Sequence, residues 1–257
     1  GELKSLDLKS DNVEVSELSK LCQERKLKAV AVFGSYTRPR DFVEGVSDIN
    51  VFVLGRDKSV LLELASEGFS PLMLDEASLK SLCDKGDPIC FYVLKDSKLL
   101  CGELPNFEFK VTELTCERMK SQAISFYSSS VESHFRSDEV NALRYAFKAV
   151  KASVAFAVCN REREVVVSNE LIREKCRELK LKGCEELSEL NLMLRARLRL
   201  TTWGLDKVAE AVSSNLGIKV PKATELMSKY GDWIAKLSFE GGKWRVMTKD
   251  GHWDEFA

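Results

Sequence analysis

The apolar and polar positions change their period twice along the chain. KAVAVF (28–33) and INVFVL (49–54) are short apolar runs, β-branched or aromatic, each ending at a glycine, and they predict buried strands. FSPLMLD (69–75) predicts a third strand, at a sheet edge or a strand start because Pro71 has no N–H for a ladder. Around these runs, EVSELSKLCQERK (14–26) sets Val15, Leu18, Leu21 and Cys22 on one helical face, with Ser16 near its start. SVLLELASE (59–67) is helical up to Gly68, and DEASLKSLCDKG (75–86) opens as a capped helix and stops at Gly86. PICFYVLKDSKLLCG (88–102) holds a further apolar run, a KDSK turn and a short extended piece. Helix and strand therefore alternate to about residue 112.

After Pro105 the period lengthens to that of helices, over 115–135, 137–160, 168–180 and 184–215. Ser137 with Asp138, and Ser168, stand where N-caps belong, and Gly217 suits a helix end. The second segment is apolar around much of its circumference, as the central helix of a bundle should be. The final stretch, WIAKLSFEGGKWRVMTKDGHWDEF, alternates around EGG and KDG and predicts a small β-hairpin or meander. The fold class is α+β. It comprises a small mixed-sheet domain (1–112), a helical bundle (113–216) and a C-terminal tail with a β-hairpin (217–257).

Composition adds limits. With 257 residues, 44% of them hydrophobic and 31% charged, the chain can bury an adequate core. No apolar run approaches a membrane span, and GELKSLDLKSDNVEV lacks a signal-peptide core, so the expected compartment is the cytoplasm, with no membrane partner. A net charge of −1 gives no global electrostatic case for a nucleic-acid coat protein. A local basic groove, or a small anion held by a few donors, stays open. The eight cysteines form no C-x-x-C pair, and only His134 and His252 could assist them in a zinc site. Buried reduced thiols are the favoured reading. Against it, only two Gln beside abundant Lys and Glu leans towards a hyperthermophile, where intracellular disulfides occur.

The candidate chemistry lies in AVAVFGSYTRPRDFVEGVSDINVFVLG (29–55). Successive strand side chains point to opposite faces, so Asp48 and Asn50 share one face while Ile49 and Val51 go to the other, into the core. Two oxygen-bearing side chains at a strand's start form a first shell for a hard cation such as Mg²⁺, which substrate phosphates then share. Gly34 lets backbone approach a ligand closely, and Ser35 adds a hydroxyl and backbone donors.

Strand, Phe33-Gly34-Ser35, a variable loop and then Ser47-Asp48-Ile49-Asn50-Val51 resembles the signature of the DNA polymerase β-like nucleotidyltransferase superfamily. The layout is similar to its small archaeal and kanamycin-nucleotidyltransferase-like members, over roughly the first two-fifths of the chain. The resemblance implies transfer of a nucleoside monophosphate from an NTP to an acceptor, whether a small molecule, a protein or an RNA end. It implies catalytic roles for Asp48 and Asn50, substrate binding by Gly34, Ser35, Ser47 and Arg38, and Mg²⁺ or Mn²⁺ held by Asp48, Asn50 and Asp75. The helical half resembles HEPN-like bundles, through which a homo-oligomer would form. The Arg-x(4–6)-His motif of active HEPN ribonucleases is absent, since no histidine follows Arg195, Arg197 or Arg199 within reach. Ribonuclease activity is not predicted.

The chain departs from the family at the second acidic position, which is Asn50. At about 4 Å and an effective dielectric of about 20, a unit charge contributes roughly 4 kcal/mol per metal charge, so one ion is expected rather than two. If the third carboxylate position aligns with Leu72-Met73-Leu74 it is missing; a slip of two places would bring in Asp75. The alternative to an enzyme is an inactive nucleotide-binding or partner-binding module. Lys148, Lys151, Arg161 and Arg163 read as a solvated helix face. Trp233, Trp244 and Trp253 read either as a stacking platform for a base or as the hairpin's own core.

Overall fold

A computed structural model describes residues 15–256 of the chain; the stretch read as lacking a signal-peptide core falls, except for Val15, outside the described residues. The chain divides into two compact units, 1–115 and 116–257.

In the first unit the three predicted strands form, as β1 (Ala29–Phe33), β2 (Asn50–Leu54) and β3 (Ser70–Leu74), and Ser97–Gly102 adds β4. Their order is β3-β2-β1-β4. β1 is antiparallel to both β2 and β4, while β3 runs parallel to β2, so the sheet is mixed. Pro71 is on an edge strand, where its missing N–H costs no ladder bond. Both faces of the sheet are covered, which is why its runs are apolar throughout rather than alternating. Val30, Val32, Val51 and Val53 pack with Leu18 and Leu21, the latter on α1 (Leu21–Arg25), and with Val60 and Leu64 of α2 (Lys58–Ser66). On the other face Ala29, Phe52 and Leu54 meet Leu79 and Cys83 of α3 (Glu76–Lys85) and Cys90 and Val93 of α4 (Pro88–Leu94). The apolar run at 88–94 is thus a helix, started by Pro88 in its first turn and by Asp87, whose side chain accepts from the Ile89 N–H at 3.0 Å.

The second unit is built on α5 (Glu113–Phe135) and α6 (Glu139–Glu162), followed by α7 (Asn169–Glu178), α8 (Cys184–Ala196), α9 (Thr202–Leu216) and α10 (Ala223–Tyr230). α6 is the central helix, buried on most sides and packed against α7, α8 and α9. Asp138 and Ser168 cap α6 and α7 as predicted, and Gly217 ends α9. The segment predicted as one helix over 184–215 is two. Arg197 turns left-handed at φ 55°, and Thr201 restarts the helix by accepting from the Gly204 N–H at 2.9 Å. The tail is a three-stranded antiparallel sheet, β5 (Ile234–Glu240), β6 (Lys243–Thr248) and β7 (Trp253–Phe256). It belongs to the second unit with the helices: Glu132 of α5 accepts from the Leu237 N–H at 2.9 Å, and Trp244 packs edge-on against Tyr127. No described helix is long and apolar enough to cross a membrane.

The reduced-thiol reading of the cysteines is overturned. All eight are paired, as Cys22–Cys101 and Cys83–Cys90 in the first unit and Cys116–Cys159 and Cys176–Cys184 in the second. Sequence spacing alone could not give this, because the partners meet only after helices fold onto the sheet or onto each other.

Candidate functional site

The site forms where β1 ends and β2 begins. Antiparallel register sets Phe33 opposite Asn50, so the residue after Phe33 meets the Asn50 side chain. Glycine suits that position. Gly34 has φ +78°, in the left-handed region, and a Cβ there would lie 3.0 Å from Asn50 Nδ2. The chain then makes one turn of 3₁₀ helix, Gly34–Thr37, tied by the Thr37 hydroxyl donating to the Gly34 carbonyl at 2.7 Å. Ser35 sits half-buried within this turn, and Asp48 lies half-buried two residues before Asn50, at the entry to β2. Ile49 and Val51 go to the opposite face, in the core beside Val32. Asn50 shares its face with Phe52 and Leu54, which α3 and α4 cover, so only the leading end of that face carries polar side chains.

The loop between the two strands is held from inside. Tyr36 and Phe42 meet edge to face at 5.3 Å and pack on the core. Ser47, predicted to bind substrate, closes a turn: its Oγ accepts from the Val43 N–H at 2.9 Å and its own N–H donates to the Val43 carbonyl at 2.8 Å.

Arg38, predicted as a phosphate ligand, is committed elsewhere. Its Nε donates to Asp41 at 2.7 Å and its Nη1 to both carboxylate oxygens of Asp96. All three side chains are mostly shielded from water. Burial works against the guanidinium charge, and the bonds to Asp96 and Asp41 more than offset it, leaving the Arg38 pKa above its ordinary value. A cation enclosed by two carboxylates offers little net charge to an incoming phosphate. The Asp96 carbonyl also accepts from the Gly34 N–H at 3.0 Å, so the KDSK turn buttresses the glycine bend from the β4 side. Sequence reasoning missed Asp41 and Asp96. The pairing of β4 with β1, which sets Ser97 opposite Phe33, is the fact that would have revealed Asp96.

Asp75 does not join the site. The parallel register pairs Asn50 with Ser70 and Leu54 with Leu74, so Asp75 lies five residues further along β3, roughly 16 Å at about 3.3 Å per residue, at the other end of the sheet. There it caps α3, accepting from the Ser78 N–H at 2.7 Å, and it pairs with Arg56 at 3.4 Å. The Ser78 bonds hold its carboxyl below the usual range. The β3 residue beside Asn50 is Ser70, which carries no charge. Of the three predicted metal ligands, Asp75 is removed, which leaves Asp48 and Asn50, two residues apart in sequence. Among the described residues no group of three or more His, Cys, Asp or Glu side chains converges where it would hold a metal ion. One carboxylate and one amide do not fit a two-cation centre.

Neither family models, nor curated proteins, nor solved structures yield a match to the chain.

Proposed function

We propose that the first unit is a nucleotidyltransferase-type scaffold that binds a nucleoside triphosphate at the Gly34 bend and has lost most of its transfer chemistry. The observation that carries this reading is the Asn50 amide seated against Gly34 with Asp48 just upstream, while the nearby carboxylates of Asp41 and Asp96 are taken by Arg38. Glycine there lets phosphate oxygens approach backbone. Asn50 in place of a carboxylate removes the charge that a second cation needs. Residual transfer to a small molecule, a protein or an RNA end is the activity this scaffold retains at best. In this reading the protein works in the cytoplasm, with disulfides of the kind found in intracellular proteins of hyperthermophiles. Exposed Leu192, Leu198 and Trp203 supply the apolar surface through which the helical unit would self-associate.

The test is thermal unfolding with NTP and Mg²⁺ or Mn²⁺, run beside a transfer assay with labelled NTP. At about 100 times Kd the ligand should add roughly 2.7 kcal/mol of stability, and Asp48→Ala should abolish this gain. Asn50→Asp should raise metal-dependent transfer at least tenfold above background. Absence of any NTP-induced stabilisation at millimolar concentration refutes the reading; vigorous transfer by the unaltered protein refutes its loss of chemistry.

A further inference from the structure

The structure divides the C-terminal tryptophans. Trp244 is core: 5% exposed, against Phe239 and Tyr127, its Nε1 donating to the Lys219 carbonyl at 2.7 Å. Trp233 and Trp253 are 51% and 38% exposed. Both lie at one end of the small sheet, Trp233 just before β5 and Trp253 at the start of β7. The register sets Lys236, Met247 and Trp253 side by side across the three strands, on the face opposite buried Trp244 and Val246. Two residues beyond Met247, the Lys249 N–H donates to the Trp233 carbonyl at 3.1 Å.

Each exposed indole has a cation over it. Arg245 Cζ is 5.2 Å from the centre of Trp253, and Lys249 Nζ is 5.8 Å from that of Trp233. Two of the acids nearby are engaged, while Asp232, beside Trp233, is exposed. Glu255, opposite Arg245, pairs with Lys243 at 3.4 Å, and Asp250 accepts from the Thr248 hydroxyl and the His252 N–H. One end of an open sheet face therefore presents two indoles, a thioether and three cations.

We propose that this face binds single-stranded nucleic acid, bases stacking on Trp233 and Trp253 while Lys236, Arg245 and Lys249 meet the phosphates. Flat indoles suit bases of any sequence, and cations beside them suit a chain that alternates base with phosphate. A duplex hides its bases, and the Asp and Glu side chains of an acidic peptide have no rings to stack. The near-neutral net charge of the chain does not oppose this, because the contact is local.

The experiment is fluorescence anisotropy of a labelled oligouridylate of about a dozen nucleotides with the full chain, without NTP or metal, so that failure here leaves the Gly34 site untouched. Trp253→Ala and Trp233→Ala should each weaken binding about tenfold. Trp253→Phe should keep most of the affinity, and Leu62→Ala, which alters an exposed apolar side chain of the first unit, should leave it unchanged. Arg245→Gln and Lys249→Gln, which remove the charges over the two indoles, should each flatten the slope of log K against log salt by about 0.7. The proposal is overturned by absence of binding, by equal affinity for a matched duplex or for polyglutamate, or by binding that these indole and charge variants leave intact.

Discussion

Gly34 carries two separate demands. Its φ of +78° would cost an L-residue about 1–2 kcal/mol, and its missing Cβ leaves room for the Asn50 amide at 3.0 Å. Gly68 has the first demand without the second, with φ +94° and nothing within 4 Å of where a Cβ would lie. Gly34→Ala and Gly68→Ala should therefore both lower the urea midpoint by a similar backbone term. Only Gly34→Ala should displace Asn50 and abolish NTP-induced stabilisation. If both variants kept that stabilisation, the bend would not be where the phosphates lie. At this scale the chain was legible where strand period governs: Asn50, Ile49 and Val51 take the faces that alternation assigns them. It was illegible where a side chain's partner is remote. Arg38 looks like a loop arginine open to phosphates until β4 brings Asp96, 58 residues away, against it. Asp75 was ambiguous because a strand's register is fixed by its neighbour, and pairing Asn50 with Ser70 sends Asp75 to the far end.

Between elements, the join of α5 to β5 has its own pH dependence. Burial raises the Glu132 carboxyl above its ordinary value of 4.5, and the Leu237 N–H, which favours the charged form, offsets this only in part. Between 4.5 and the raised value the folded state holds this proton more tightly than the unfolded chain, so stability falls as pH rises through that window. Glu132→Gln keeps an oxygen for Leu237 and has no charge to desolvate. It should melt higher than the parent at pH 7, and the difference should vanish as pH drops below 4.5; an unchanged gap across that range would show that the carboxylate carries no burial cost. The elements themselves were mostly written in local pattern, since caps such as Asp138 and Ser168 act within three residues. The exceptions have local causes of another kind. Pro88 and Asp87 start a helix inside a run whose composition suits a strand, and Arg197 breaks a helix without a glycine or proline to announce it.

Across the whole molecule the covalent links are the largest difference between what the chain suggests and what it forms. Cys22–Cys101 closes 79 residues and ties α1 to β4, and Cys116–Cys159 closes 43 and ties α5 to α6. Cys83–Cys90 and Cys176–Cys184 close only 7 and 8, each pinning the turn between two consecutive helices. By loop entropy the long closures should each contribute about 4 kcal/mol and the short ones about 2.5 kcal/mol. Domains are stable by only about 5–15 kcal/mol, so two such links in each unit are a large share of the margin that keeps it folded. The oxidised protein should show no free thiol under denaturing conditions, and all eight after reduction. Reduction should lower the melting temperature of both units by well over 10 °C, given roughly 4–8 °C per kcal/mol for domains near 100 residues. Cys22→Ser with Cys101→Ser should cost more than Cys83→Ser with Cys90→Ser, because the loop released in the unfolded chain is some tenfold longer. Reductant that left the melting curve unmoved would show that packing alone holds both units and that the links follow the fold without supporting it.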